Sequence, residues 1–223
     1  MRTSPLEILQ REHIWMACVL KLVRIQLSLL ERRAALDRTL LSNNLWYLQR
    51  YATAVHHPNE RWLFARLRQA DSPLEAQTRA SALEHQQLEL LGARLVALAS
   101  ASGAGSRAVP AEFPELGRAY LRTHFAHMDR EENRIYLAAA QCLKARDREY
   151  LRARFDKIDR NLPAEHGPGR YQHLYEFLLR TATEQGYGLH LMSEPRQKTY
   201  VGFTCKLTAG RAAPQRRRRA GER

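Results

Sequence analysis

The chain has 223 residues, with 36 Lys and Arg against 23 Asp and Glu, nine His and three Cys. That length suits one domain with a tail, and a hydrophobic content of 44% supports a core and excludes wholesale disorder. The net charge of +13 points first to nucleic acid or an anionic membrane, but residues 196–223 hold nine basic side chains and one acidic one, or +8, which leaves 13 − 8 = +5 for residues 1–195.

The helix signal dominates. Ser4-Pro5-Leu6-Glu7 combines a capping residue, a proline at the first helical position and a Glu able to bond back; the same four letters recur at Ser72-Pro73-Leu74-Glu75. Apolar spacings of three and four predict four long helices, at about 5–31, 37–70, 73–101 and 111–144. Short connections, apart from the Gly/Ser/Pro-rich stretch Ser102 to Pro110, predict an all-α, up-down-up-down four-helix bundle. Pro58 falls inside the second helix, removes an N–H there and favours a kink. Shorter amphipathic helices are expected at Arg146 to Asp159 and Tyr171 to Gln185, the latter set off by Gly167-Pro168-Gly169. Thr199 to Leu207 carries a faint strand alternation, and the run Arg216-Arg217-Arg218-Arg219 reads as disordered tail. The expected organisation is a bundle over 1–145, a helical extension over 146–208 and a disordered Arg-rich tail over 209–223.

Cys18, Cys142 and Cys205 are far apart and odd in number, so neither a Cys-x-x-Cys metal site nor a disulfide framework is expected. The most apolar stretch, Ile14 to Leu20, stops at Lys21, short of the 18 or so residues of a membrane span, and the first five residues lack a signal peptide's apolar segment. A cytoplasmic location is the expectation. The Arg run would attract phosphate without sequence readout, so no specific nucleic-acid partner is expected.

The chemistry lies in the bundle. His13, His56, His85 and His127 fall one on each helix, and His56–Glu60, His85–Glu89 and His127–Glu131 are spaced by four, one turn apart on one face. Counting from turns near Ala35, Asp71 and Ser106, the distances to these histidines are 22 and 21, 15 and 14, 21 and 21 residues. At about 1.5 Å per residue all four lie within roughly one turn of a common plane. Buried imidazoles and carboxylates without partners cost several kcal/mol, and a metal removes that cost. Four imidazoles with two or three carboxylates exceed one tetrahedral zinc; they fit two metals, and the mixture suits iron. No Glu-x-x-His of the ferritin type occurs. His57 sits about 100° round the helix from His56 and is expected to face a neighbour or solvent. His124 is expected behind His127, Glu12 and Glu84 in solvent, and Glu89 either at the metals or in a surface ion pair.

The ordered set Glu12-His13, His56-His57-Pro58-Asn59-Glu60 followed by Leu63-Phe64, Glu84-His85, and His127-Met128-Asp129-Arg130-Glu131-Glu132 resembles the bacterial hemerythrin-like (HHE cation-binding) family over about residues 4–145. The resemblance implies two non-haem iron ions, bridged by carboxylates and by an oxo or hydroxo group, with His13, His56, His85 and His127 as terminal ligands and Glu60 and Glu131 bridging. Animal hemerythrins place a second histidine four residues after the third-helix one, where this chain has Glu89. They space the last pair by five, where this chain has Glu131 at four and Glu132 at five. A carboxylate-richer site favours the ferric state and reactive chemistry. Three readings follow: a protein binding dioxygen or a related small oxidant, for oxygen or redox sensing or iron handling; a di-iron enzyme decomposing peroxide or nitric oxide; and a metal-free basic adaptor contacting nucleic acid. Residues 162–207 are expected either to cover one end of the bundle or to pair two chains as a homodimer.

Overall fold

A computed structural model describes residues 3–69, 74–101, 109–162 and 168–187. Helix α1 spans Pro5–Glu31, as the capping pattern predicts. Glu7 N–H donates to Ser4 Oγ at 3.2 Å while Ser4 N–H donates to the Glu7 carboxylate at 2.7 Å, satisfying two of the free donors at the helix start. Arg33 turns the chain through a left-handed conformation (φ 55°), and Asp37 then caps α2 (Arg38–Tyr51) by accepting from Leu40 N–H at 2.9 Å. A π-turn, Ala52–His56, joins α2 to α3 (His57–Gln69). Helix α4 is Glu75–Ala101. Helix α5 (Phe113–Arg130) passes through a second π-turn, Glu131–Tyr136, into α6 (Leu137–Cys142).

These elements form four rods: α1; α2 with α3; α4; and α5 with α6. Each packs on two neighbours, α1 on α2 and α5, and α4 on α2 and α5, which is the cyclic order of an up-down-up-down bundle. At Gly92 of α4 a Cβ would meet the Gln49 side-chain carbonyl of α2 at 2.1 Å, so the absent side chain makes room for Gln49. Two further helices follow, α7 (Ala145–Asn161) and α8 (Pro168–Glu184). No strand occurs among the described residues. The faint alternation at Thr199 to Leu207, the Arg-rich tail, the Ser72-Pro73 cap and most of the Gly/Ser-rich stretch lie outside them.

The apolar core is split in two. One cluster holds Leu6, Leu9, Leu63, Phe64, Leu67, Ile135, Ala139, Leu151 and Phe155; the other runs from Met16 and Leu20 through Leu48, Leu88, Leu95 and Met128. Burying each such side chain contributes roughly 1.5–3 kcal/mol. Along α1 the order is Leu9, then Glu12 and His13, then Met16; along α3 and its π-turn it is Val55, then His56 and Glu60, then Leu63. A polar layer therefore separates the two clusters.

Helix α7 closes the first cluster with Leu151 and Phe155. It is held to α3 by Arg66 Nε donating to Asp147 at 2.8 Å, and Asp147 also accepts from Lys144 N–H at 2.9 Å at the start of α7. Arg154 covers the Trp62 ring at 4.2 Å. Helix α8 lies against α1 and α2 through Tyr171, Tyr175, Leu178 and Ala182, in an aromatic group with Trp15, Tyr47 and Tyr51. By length and composition α1 is apolar enough to cross a membrane. In this fold its apolar face is buried inside the bundle, together with Glu12, His13, Lys21 and Gln26.

Candidate metal centre

All four rods deliver ligand-type side chains to the polar layer. α1 carries His13, the first π-turn ends at His56, α3 supplies His57 and Glu60, α4 supplies His85, α5 supplies His127, and the second π-turn begins at Glu131. All seven side chains are buried. Three groups of ligand atoms converge to within 4.8 Å: His13, His56, Glu60 and Glu131; Glu60, His85, His127 and Glu131; and His57, His85 and His127. Glu60 and Glu131 belong to both halves, the placement a bridging carboxylate needs.

The coplanar histidines and the pairs His56–Glu60 (3.3 Å) and His127–Glu131 (3.2 Å) meet as their spacing predicts. Glu89 does not join them. It is one-third exposed, and its carboxylate accepts from His57 Nδ1 at 3.0 Å. Facing it from the other side of that contact, His57 is 1% exposed and stacks on His85 with ring centres 3.9 Å apart. His57, expected at a neighbour or in solvent, takes an inward place, and Glu89 takes the second of its two expected places, an ion pair. The reason is the π-turn immediately before it, which lets two successive side chains reach the interior where a regular helix would swing the second about 100° away. Pro58 marks the spot: its missing N–H leaves a carbonyl of the preceding turn free, and the His57 N–H bonds five residues back, to Ala52.

Behind the histidines stands a ring of carboxylates. His13 Nδ1 donates to Glu132 (2.8 Å), His56 to Glu12 (2.8 Å), His57 to Glu89 and His127 to Glu84 (2.9 Å). Glu12, expected in solvent, is 4% exposed; Glu84 is partly buried and also pairs with Arg130. Each bond fixes the tautomer that turns Nε2 inward, the arrangement that orients metal-binding imidazoles. The second π-turn allows this on the fourth rod. Glu131 faces the centre, Glu132 reaches the outer nitrogen of His13, and Tyr136, five residues on, donates its hydroxyl to Glu60 at 2.5 Å and stacks on His13.

Six of the inward atoms lack hydrogen-bond partners, while Nε2 of His13 and of His56 meet each other at 2.9 Å. Nε2 of His57, His85 and His127, Oε2 of Glu60 and both Glu131 oxygens are buried and unsatisfied, although several approach one another at 3.0–3.5 Å. Buried polar atoms are nearly always paired, so a cluster left open in this way fits cations held between them. The electrostatics agree. Burial works against a charge on His13, yet Glu131 and Glu132 raise its pKa to about 10; Glu131 and Glu60 do the same for His85, also to about 10. Burial holds His56 and His57 well below the usual imidazole range. Glu60, disfavoured by burial, is pulled well below the carboxylate range by His56 and His85, while burial and the charge of Glu60 push Glu12 up to about 8. Two protons on imidazoles thus stand in for positive charge among the carboxylates. His124 is also buried, but its nitrogens join none of the converging groups; burial drives its pKa to about 3, and its ring meets the edge of Tyr120.

Residues 4–139 match the family model described as the Hemerythrin HHE cation binding domain. The chain belongs to the hemerythrin family. Comparison with curated proteins and with solved structures gives no match. In this hemerythrin-family chain the fifth imidazole comes from His57 on the second rod. The matched span covers all four rods except the last residues of α6, and α7 and α8 lie beyond it.

Proposed function

We propose that this chain is a non-haem di-iron protein that binds dioxygen or a related small oxidant, serving oxygen or redox sensing or iron handling. The observation that carries the reading is the convergence of five imidazoles and two shared carboxylates on one buried layer, in which three imidazole nitrogens, one Glu60 oxygen and both Glu131 oxygens have no hydrogen-bond partner. His13 and His56 would hold one iron, His57, His85 and His127 the other, with Glu60 and Glu131 between them. Two irons supply the paired electrons that dioxygen or peroxide chemistry consumes. The residues set the conditions. The carboxylate ring fixes the imidazoles, the two apolar clusters exclude bulk water, and Tyr136 donates its hydroxyl proton to Glu60, with the hydroxyl oxygen 3.4 Å from His13 Nε2. A phenol bonded to a carboxylate of the centre favours, as a second reading, an enzyme that reduces peroxide or nitric oxide.

Metal analysis of protein purified from iron-fed cells tests the proposal, with about two irons per chain expected. Less than about one, or an unchanged iron content in the double variant His56→Ala, Glu60→Ala, would sink it. Anaerobic reduction followed by air separates the readings: a reversible oxygen-dependent absorption band supports binding, and irreversible oxidation with peroxide turnover supports catalysis.

A further inference from the structure

The four rods are not equally covered. Helices α7 and α8 pack on α1 and on the second rod, while the side of α4 turned away from the bundle keeps its side chains in solvent. At the middle of that side stand Leu83 and Leu90, 57% and 74% exposed, the second being the most exposed large apolar side chain among the described residues. They are seven residues apart, close to two full turns, so they lie one above the other along the helix. Between Ala80 and Ala93 no exposed residue of α4 carries a charge, whereas the shorter α7 exposes Arg146, Glu149, Lys157 and Arg160. A neutral, leucine-centred face of this kind in water marks a contact.

The order of residues on the face says what the contact is with. Gln86 and Gln87 lie at its midpoint. Counting outward from between them, Leu83 matches Leu90 and Ala80 matches Ala93; farther out, Arg79 matches Arg94 and Ala76 matches Ala97. Every exposed residue from 76 to 97 belongs to one of these five pairs of identical residues, so the face reads the same from either end. The buried positions of the same helix do not follow the rule: His85 falls opposite Leu88, and Ser81 opposite Gly92. The symmetry is therefore a property of the surface and not of a repeated sequence. A face that reads alike in both directions is complementary to itself when a second copy runs antiparallel about a two-fold axis, the isologous arrangement of symmetric dimers. In that register Leu83 of each copy meets Leu90 of the other along about 33 Å of helix, and the spacing of seven suits two helices coiling around each other. The arginines at the two ends do not oppose it as bare charges, because Arg79 holds Glu75 at 2.6 Å and Arg94 holds Glu112 at 2.7 Å.

We infer that the outward face of α4 is the contact between two copies of this chain, paired antiparallel with Leu83 of each against Leu90 of the other. The inference stands on that face alone and does not depend on the metal centre.

Sedimentation of the full chain over a concentration series should show an equilibrium between one and two copies. Leu90 is exposed, so Leu90→Glu should leave the helical signal and melting temperature unchanged while raising the dissociation constant of the pair by about tenfold or more. Direction and register are read by cross-linking. Chains carrying Leu83→Cys are mixed with chains carrying Leu90→Cys, both in a background of Cys142→Ser and Cys205→Ser, and treated with a short bismaleimide. The mixed product should form in preference to the product of either variant with itself. A single copy at every concentration, a pair indifferent to Leu90→Glu, or each variant joining to itself as readily as to the other overturns the inference; the last outcome is the mark of a parallel pair.

Discussion

His57 reaches an inward place that spacing did not give it, and Glu89, which spacing left between the metals and an ion pair, is found in the ion pair. Glu89 lies four residues beyond His85, one helical turn away, but its carboxylate is spent on His57 Nδ1. Replacing His57 by Ala is therefore expected to lower iron from about two to about one per chain, while Glu89→Gln keeps the stoichiometry and weakens retention by roughly 10–100-fold. Iron content after dialysis against a graded chelator series measures both; loss of a whole iron in Glu89→Gln alone would reinstate Glu89 as the ligand. The protons on His13 and His85 give a second outcome. With pKa values raised to about 10, both imidazoles are charged at neutral pH in the metal-free protein, and a metal must displace them. Loading at about pH 7.5 should release at least about two protons per chain, read with an indicator dye in weak buffer, and metal affinity should climb as pH rises toward 10. The metal-free fold runs the other way. Raised imidazole pKa values contribute stability below about pH 6.5 that is lost as pH passes through about 10.

At the scale of elements, the rods themselves were legible. The Ser4–Glu7 box set the start of α1, and the short turns fixed the level of four histidines to within a turn because depth in a bundle is simple counting at constant rise. Direction around the axis was not legible, because it changes wherever the helix departs from 3.6 residues per turn. Both departures occur at the centre, one ending at His56 and the other beginning at Glu131, and they account for His57, Glu132 and Tyr136. The first had a visible cue in Pro58; no comparable residue announces the second. Pro58→Ala restores the N–H that an unbroken helix would use, which in a helix interior is worth up to about 3 kcal/mol. The expected result is a metal-free protein with a higher melting temperature and weaker iron retention, since a regular helix turns His57 away. Higher stability with undiminished iron would show that the π-turn does not depend on the proline.

At the scale of the molecule, the two apolar clusters make the polar layer possible, and the second of them depends on α7. Leu151 and Phe155 complete the cluster that contains Leu6, Leu63 and Phe64, below the centre. Their contribution was not legible beforehand: an amphipathic stretch announces that it will pack, but not on what. Phe155→Ala should cost roughly 3–5 kcal/mol, measured by chemical denaturation of the metal-free protein, against less than about 0.5 kcal/mol for the exposed Lys157→Ala on the same helix. Equal effects would mean that α7 is not part of the folding unit.

The carboxylate ring has one more consequence, in the balance of charge. Glu60 and Glu131 inside the centre, with Glu12, Glu84, Glu89 and Glu132 behind its histidines, make six carboxylates around five neutral imidazoles. With Arg130 paired to Glu84 and with Glu12, its pKa raised to about 8, holding a proton at neutral pH, four negative charges remain, which two divalent ions neutralise and two trivalent ions exceed by two. A space with so little water tolerates such an excess poorly. A redox-active pair held here therefore couples its electrons to protons: each electron lost calls for a proton to leave, and Glu12, whose pKa is raised to about 8, is the group behind the centre that holds one to give up.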